Sequence, residues 1–280
     1  MAINEDQRTY DHHLTNLMQY FSMDPYTKVI GMYLEGVNDG RDFMHIGMNI
    51  IKQKPIVILR PGHTKKGSIA AQSHTKSIAG DYKVFDAACK QAEIIKADTV
   101  YELYDFCKIL SLCNTPKGNR CLIITSSGGS GILATDIAEQ NNIDIVPLET
   151  ETKNLLLYSL PSYCIIGNPL DLTGDTNAER YYETVKRMKS ASNIDILLLI
   201  FGDPIPDASN FVNKMEEEID KEIIACYIGA GDMQTREVLN LHEISIPTFP
   251  TPERAMRAIS ALVQYKNFVQ KSMLKPEDKK

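Results

Sequence analysis

With 280 residues, 43% hydrophobic and 24% charged, the chain has the make-up of a soluble globular protein long enough for two domains. A net charge of −6 with no basic stripe argues against nucleic acid as a partner, and no apolar run is long enough to span a membrane. The six cysteines, at 89, 107, 113, 121, 164 and 226, form no Cys-x-x-Cys pair and no zinc-type cluster with histidine, so no metal site is expected and reduced thiols in a cytoplasmic protein are.

The N-terminus, "MAINEDQRTYDHH", is polar and acidic, unlike a signal peptide. A helix is predicted at about 11–22, then a buried strand in "KVIGMYLEG" (28–36) and a helix from Asp39 to Lys52. "PIVILR" (55–60) reads as a second strand, followed by a Gly/Ser/Lys loop and helices at 77–91 and 99–112. The polar segment "LCNTPKGN" (112–119) is the natural joint between domains.

Beyond it, "RCLIITSSGG" (120–129) is a strand running into a glycine turn, with a helix from Gly131 to Asn141. Further strands are predicted at 193–203, 222–231 and 246–250, with helices near 177–191, 207–219, 233–241 and 251–266. Continuous apolar strands separated by helices imply parallel sheets covered on both faces. The expected fold is therefore α/β, with two doubly wound domains at 1–113 and 114–270 and a polar tail at 271–280. The first domain opens on a helix, so its own first strand is expected to be missing or supplied by another chain. An incomplete sheet exposes an edge, which favours a homo-oligomer or a partner.

Ligands in such sheets bind beyond the carboxyl ends of strands. Glu35 ends one predicted strand. "SHTKSIAG" places His74 between Ser73 and Thr75, where a helix is expected to begin. Either hydroxyl can cap that helix, and a neutral imidazole there can act as a nucleophile if a carboxylate fixes its other nitrogen. A loop histidine bonded only to backbone is the competing reading. In the glycine turn, Ser127, Gly128, Gly129, Ser130 and Gly131 let an anion approach helix-start amides, or simply pack a helix close to its strand. "IGNPLDLTGD" (166–175) reads by default as Asx turns built on Asn168 and Asp171.

Together, "TKVIGMYLEGVNDGRDF", "KPIVILRPG", "SHTKSIAGDYKVFDAACKQAEIIKADTVYELYDF", "ITSSGGSGILATDIAE", "GNPLDLTGD" and "IPTFPTPERAMRAISALVQY" resemble the NDP-forming acyl-CoA synthetases, the superfamily that includes succinyl-CoA synthetase. The likeness is to the ADP-forming acetate or acyl branch and to its two flavodoxin-like domains. It implies that His74 is a phosphohistidine oriented by Glu35, and that Ser73, Thr75 and Ser127–Gly131 bind the phosphoryl group at two helix starts. It implies a reversible reaction of acyl-CoA, ADP and phosphate to acid, CoA and ATP. CoA, ADP/ATP and Mg2+ are expected in the complete enzyme, none bound by this chain alone. The CoA-binding and ATP-grasp domains are expected on other chains, so the chain is expected to be inactive alone. Lys76 stands where the family usually has glycine. The alternatives are a non-catalytic binding or regulatory module derived from this family and a flavin-binding flavodoxin-like protein.

Overall fold

The computed structural model describes residues 2–3, 11–37, 39–75, 82–202, 205–216 and 218–274, without the side chains of 2–3, 11–13, 71–75, 216 and 274. The chain divides into two compact units, Met1–Ser111 with Gln264–Lys280, and Leu112–Val263.

The first unit runs β1 (Ala2–Ile3), α1 (Asp11–Met23), β2 (Ile30–Tyr33), α2 (Gly40–Ile50), β3 (Ile56–Leu59), α3 (Lys65–Thr75), α4 (Tyr82–Gln91), β4 (Ile95–Ala97) and α5 (Val100–Leu112). Asp39 starts α2 by accepting a hydrogen bond from Asp42 N at 3.0 Å, and the helix buries Phe43, Gly47 and Ile50, one stripe of its surface. Ile30, Met32, Ile56 and Ile58 meet that stripe from alternate positions of β2 and β3.

The four parallel strands stand in chain order, β1-β2-β3-β4. A flavodoxin-like sheet has the order 2-1-3-4-5. Removing strand 1 from that order leaves 2-3-4-5, which is the sequence of strands seen among the described residues. The two-residue β1, too short to show as an apolar run, occupies the outer position beside β2.

The segment after β3 corrects the sequence reading. Residues 65–75 were expected to be loop and are helical. Thr64 caps this helix: its hydroxyl accepts from Gly67 N at 3.1 Å and its carbonyl from Ser68 N at 2.8 Å. The cap and the helix-favouring "SIAAQ" outweigh the Gly/Ser/Lys composition on which the loop was read.

The second unit contains β5 (Arg120–Thr125), α6 (Gly128–Gln140), β6 (Asp144–Ile145), α7 (Thr150–Ser159), β7 (Leu170–Asp171), α8 (Ala178–Arg187), β8 (Ile196–Phe201), α9 (Ala208–Glu216), β9 (Glu222–Tyr227), α10 (Asp232–Glu243), β10 (Thr248–Phe249) and most of α11 (Pro252–Leu274). From Gln264 onward α11 groups with the first unit, where Tyr265 and Phe268 pack on its core. The sheet order is β10-β9-β8-β5-β6, with β7 also paired to β5. Counting β5 as the first strand gives 2-1-3-4-5, the flavodoxin-like order.

Both faces of this sheet are covered. Leu122, Ile124, Leu197, Leu199 and Phe201 belong to one core, while the intervening Cys121, Ile123, Leu198 and Ile200 are buried on the other side. Tyr181 and Phe201 rings lie 4.9 Å apart, and the Tyr181 hydroxyl donates to Ile200 O at 2.6 Å, so the buried polar tip is satisfied. Arg120 and Asp195 brace the amino ends of the strands. Arg120 Nε and Nη2 donate to the two carboxylate oxygens of Asp195, each at 2.8 Å.

Candidate functional site

The strand order of the second unit reverses at β5. β6 and β7 lie on one side, and β8, β9 and β10 on the other. Such a reversal is the switch point beside which open α/β sheets bind ligands, because the connections on its two sides leave toward opposite faces. The glycine turn follows β5 and therefore sits at this point.

Hydrogen bonds hold the turn to its neighbours. Ser126 N donates to Ile200 O at 3.1 Å, and Ser126 Oγ accepts from Gly202 N at 2.8 Å. Thr125 Oγ1 accepts from Ser127 N and donates to Ser127 O, both at 2.9 Å. Ser127 is the N-cap of α6 in extended conformation, yet its hydroxyl accepts from Ser130 Oγ at 3.0 Å and makes no cap bond to a helix amide. The first helical bond runs from Gly131 N to Ser127 O at 3.1 Å. The amides of Gly128, Gly129 and Ser130 precede it and have no acceptor within the helix ladder. With the helix dipole they favour negative charge at this end.

The glycines serve different ends. A Cβ on Gly128 would lie 2.6 Å from Asp171 Oδ2, and one on Gly131 would lie 3.1 Å from Pro169 Cβ. At both positions glycine permits close packing, which was the structural alternative in the sequence reading. Gly129 has open space where its Cβ would be. It is the position through which an anion can approach the backbone.

The structure brings in Asp171, for which the sequence reading had a turn-forming role as the default and a binding role as the alternative. Thr125 and Asp171 are register partners in β5 and β7, so this carboxylate arrives beside the start of α6. Asp171 Oδ1 accepts from Thr173 N at 2.8 Å, and Oδ2 faces Gly128. The loop behind it is braced by Arg180, which donates to Leu172 O at 3.0 Å and to both oxygens of Asp175. Arg180 first, then the Thr173 and Tyr163 hydroxyls, hold the Asp175 carboxyl well below the usual carboxylate range. An anion at the start of α6 thus meets donors from the backbone and one carboxylate nearby.

In the first unit, Glu35 lies half-buried just past β2, next to Leu34, whose N donates to Leu59 O at 2.9 Å. The backbone of Ser73, His74 and Thr75 forms the last turn of α3. The sequence reading expected a helix start here, whereas these three residues lie at the end of the described span of α3, 11 residues long. A helix from 77 was expected next. α4 is described from Tyr82, and Lys76–Asp81 lie outside the described residues. The His74 side chain lies outside them too, so its expected contact with Glu35 is not part of the described geometry. His74 and Glu35 belong to the first unit, and Ser127–Gly131 to the second.

Among the described residues, no three His, Cys, Asp or Glu side chains gather as metal ligands. No helix among them is long and apolar enough to cross a membrane. Burial pushes the Cys121 thiol up to about 12, which suits a packing role.

Residues 8–110 match the "Succinyl-CoA ligase like flavodoxin domain", and residues 121–270 match the "Ligase-CoA domain". The chain belongs to the NDP-forming acyl-CoA synthetase superfamily. Within this superfamily it is 34% identical, over 94% of its length, to acetate–CoA ligase [ADP-forming] I of Archaeoglobus fulgidus, of which it covers 38%. It is 33% identical, over 89% of its length, to the alpha subunit of acetate–CoA ligase [ADP-forming] I of Pyrococcus furiosus, of which it covers 55%. Its fold matches acetyl-coenzyme A synthetase 1 of Ca. Korarchaeum cryptofilum, a structure in complex with phosphate and ADP, with a TM-score of 0.84 and 31% identity over 94% of this chain and 59% of that one. The chain thus spans roughly two-fifths to three-fifths of these relatives.

Proposed function

We propose that this chain supplies the phosphoryl-transfer centre of an ADP-forming acyl-CoA ligase. The observation that carries the reading is the glycine turn with its unladdered amides at the switch point of a flavodoxin-like sheet, in a chain similar over most of its length to ADP-forming acetate–CoA ligases.

In the proposed cycle, inorganic phosphate displaces the CoA thiolate from acyl-CoA and gives an acyl phosphate. A neutral His74 nitrogen then attacks phosphorus, and the carboxylate of the acid leaves. The other His74 nitrogen carries its proton toward Glu35, which fixes the tautomer and supports the charge that develops. The hydroxyls of Ser73 and Thr75, and the Gly128, Gly129 and Ser130 amides with the Ser127 and Ser130 hydroxyls of the turn that Gly131 closes, are offered to the phosphoryl oxygens. ADP accepts the group from phosphohistidine and becomes ATP. Mg2+ and the nucleotide are assigned to an ATP-grasp domain, and CoA to a CoA-binding domain, on partner chains or segments.

The test is incubation of the chain with acyl [32P]phosphate, alone and with a partner ATP-grasp subunit. Acid-labile, base-stable label on the wild type that vanishes in His74→Ala supports the reading. A folded chain that takes no label with a competent partner refutes it and favours a non-catalytic module.

A further inference from the structure

β8 is buried along its whole length and is followed by Gly202. Its neighbour β5 ends at Thr125, the register partner of Ile200, so two residues further on Gly202 comes level with Ser127, the N-cap of α6. Neighbouring strands ordinarily stand about 4.8 Å apart, which leaves room for a side chain on each. Here the two chains converge. A Cβ on Gly202 would overlap the Ser127 Cβ, inside the 3.0 Å at which real Cβ contacts stop, and would lie 3.3 Å from Ser126 Oγ. Gly202 is not in the left-handed backbone region, so space and not conformation calls for glycine.

Hydrogen bonds hold the two chains at this distance. Gly202 N donates to Ser126 Oγ at 2.8 Å. Ile200 O accepts from Ser126 N at 3.1 Å and from the Tyr181 hydroxyl at 2.6 Å, which uses both of its lone pairs. Ser126 is 4% exposed, and Tyr181, Ile200 and Phe201 are fully buried. That layer is close-packed and resists movement. Ser127 is only half-buried, so a methyl group at position 202 displaces Ser127. Ser127 O accepts the first helical bond, from Gly131 N, so the start of α6 moves with it.

We propose that Gly202 is a positioning residue for the phosphoryl site: the space it leaves beside Ser127 fixes the direction of the Gly128, Gly129 and Ser130 amides. The inference rests on reading the turn as a phosphoryl site, and it needs neither His74 nor the first unit. Misplacing such groups by about 1 Å can cost about 100-fold in rate, and a loss of about tenfold is expected in the binding of inorganic phosphate.

The test is calorimetric titration of the full chain with inorganic phosphate, beside urea midpoints for stability. Wild type shows saturable binding, and Gly202→Ala weakens it about tenfold. Ser127→Gly removes the obstructed Cβ. In that background Gly202→Ala costs less than about twofold, and the double variant stays folded. Gly118→Ala is the control for stability. Its Cβ would overlap Asp195 Oδ2 at the amino ends of the strands, so it lowers the urea midpoint and leaves phosphate binding within about twofold of wild type. Equal binding by wild type and Gly202→Ala, the same loss in both Ser127 backgrounds, a matching loss in Gly118→Ala, or no phosphate binding by wild type would each overturn the inference. The expected binding pattern in a chain that takes no label from acyl phosphate with a competent partner would support it while refuting phosphoryl transfer.

Discussion

Replacing Gly128 by alanine tests how the glycine turn is packed. A Cβ there lies 2.6 Å from Asp171 Oδ2, where ordinary contacts begin at 3.4 Å, so something must move by 0.8 Å (3.4 − 2.6). Asp171 cannot retreat freely. Its Oδ1 holds Thr173 N at 2.8 Å, and Leu172 N donates to Thr125 O at 2.8 Å. Overpacking of this kind costs about 1–3 kcal/mol, and breaking the Thr173 bond adds about 1 kcal/mol. The gain of alanine over glycine in a helix returns at most about 1 kcal/mol. Gly128→Ala is therefore expected to destabilise the chain by about 1–3 kcal/mol. Gly129→Ala, with open space around its Cβ, is expected to be neutral or to stabilise by up to about 1 kcal/mol. Removing the obstacle should restore tolerance, so Gly128→Ala and Asp171→Ala should couple by about 1–2 kcal/mol. Urea titrations followed by far-UV circular dichroism read these differences as midpoint shifts at constant slope. Equal effects at the two glycines, or a coupling below about 0.3 kcal/mol, would show that Asp171 does not confine the turn.

Asp171→Asn should tighten binding of inorganic phosphate by about fivefold, since a like charge about 4 Å from an anion costs about 1 kcal/mol in water; isothermal titration at constant ionic strength checks this. Arg120→Met leaves the buried Asp195 carboxylate without its bidentate partner and should cost about 3–5 kcal/mol by urea titration. The Lys96 ammonium first, and then Lys90, hold the Asp86 carboxyl below its usual value of 3.8. A carboxylate with a lowered folded-state pKa contributes stability that is present above the unfolded value and lost as pH falls through the folded one. Thermal melts should therefore show wild type losing more stability than Asp86→Asn on acidification below pH 3.8.

Much of the fold is legible because its strands announce themselves. "CLIIT", "ILLLIF" and "EIIACY" are continuous apolar runs, as buried parallel strands must be, and the structure forms β5, β8 and β9 from them. The weak elements carry no such mark. β1, β6 and β7 are two residues each, and no periodicity is visible over so short a span. α3 was hidden by its glycine and lysines, although Thr64 three residues before Gly67 is a capping signal that local reading could have used.

The same contrast separates the parts of the candidate site. Ser127–Gly131 are contiguous, so strand, turn and helix start read directly from one stretch. Asp171 reaches the turn only through the pairing of β7 with β5, and nothing in "NPLDLTGD" indicates that register. Its arrival changes the chemistry of the turn. Backbone amides alone would attract any oxyanion, and the strength of attraction would follow charge. With a carboxylate beside Gly128, added negative charge on the ligand is rewarded by the amides and penalised by Asp171 at once. Under the proposed phosphoryl transfer that balance has a use, because binding strong enough to trap the group would slow its transfer.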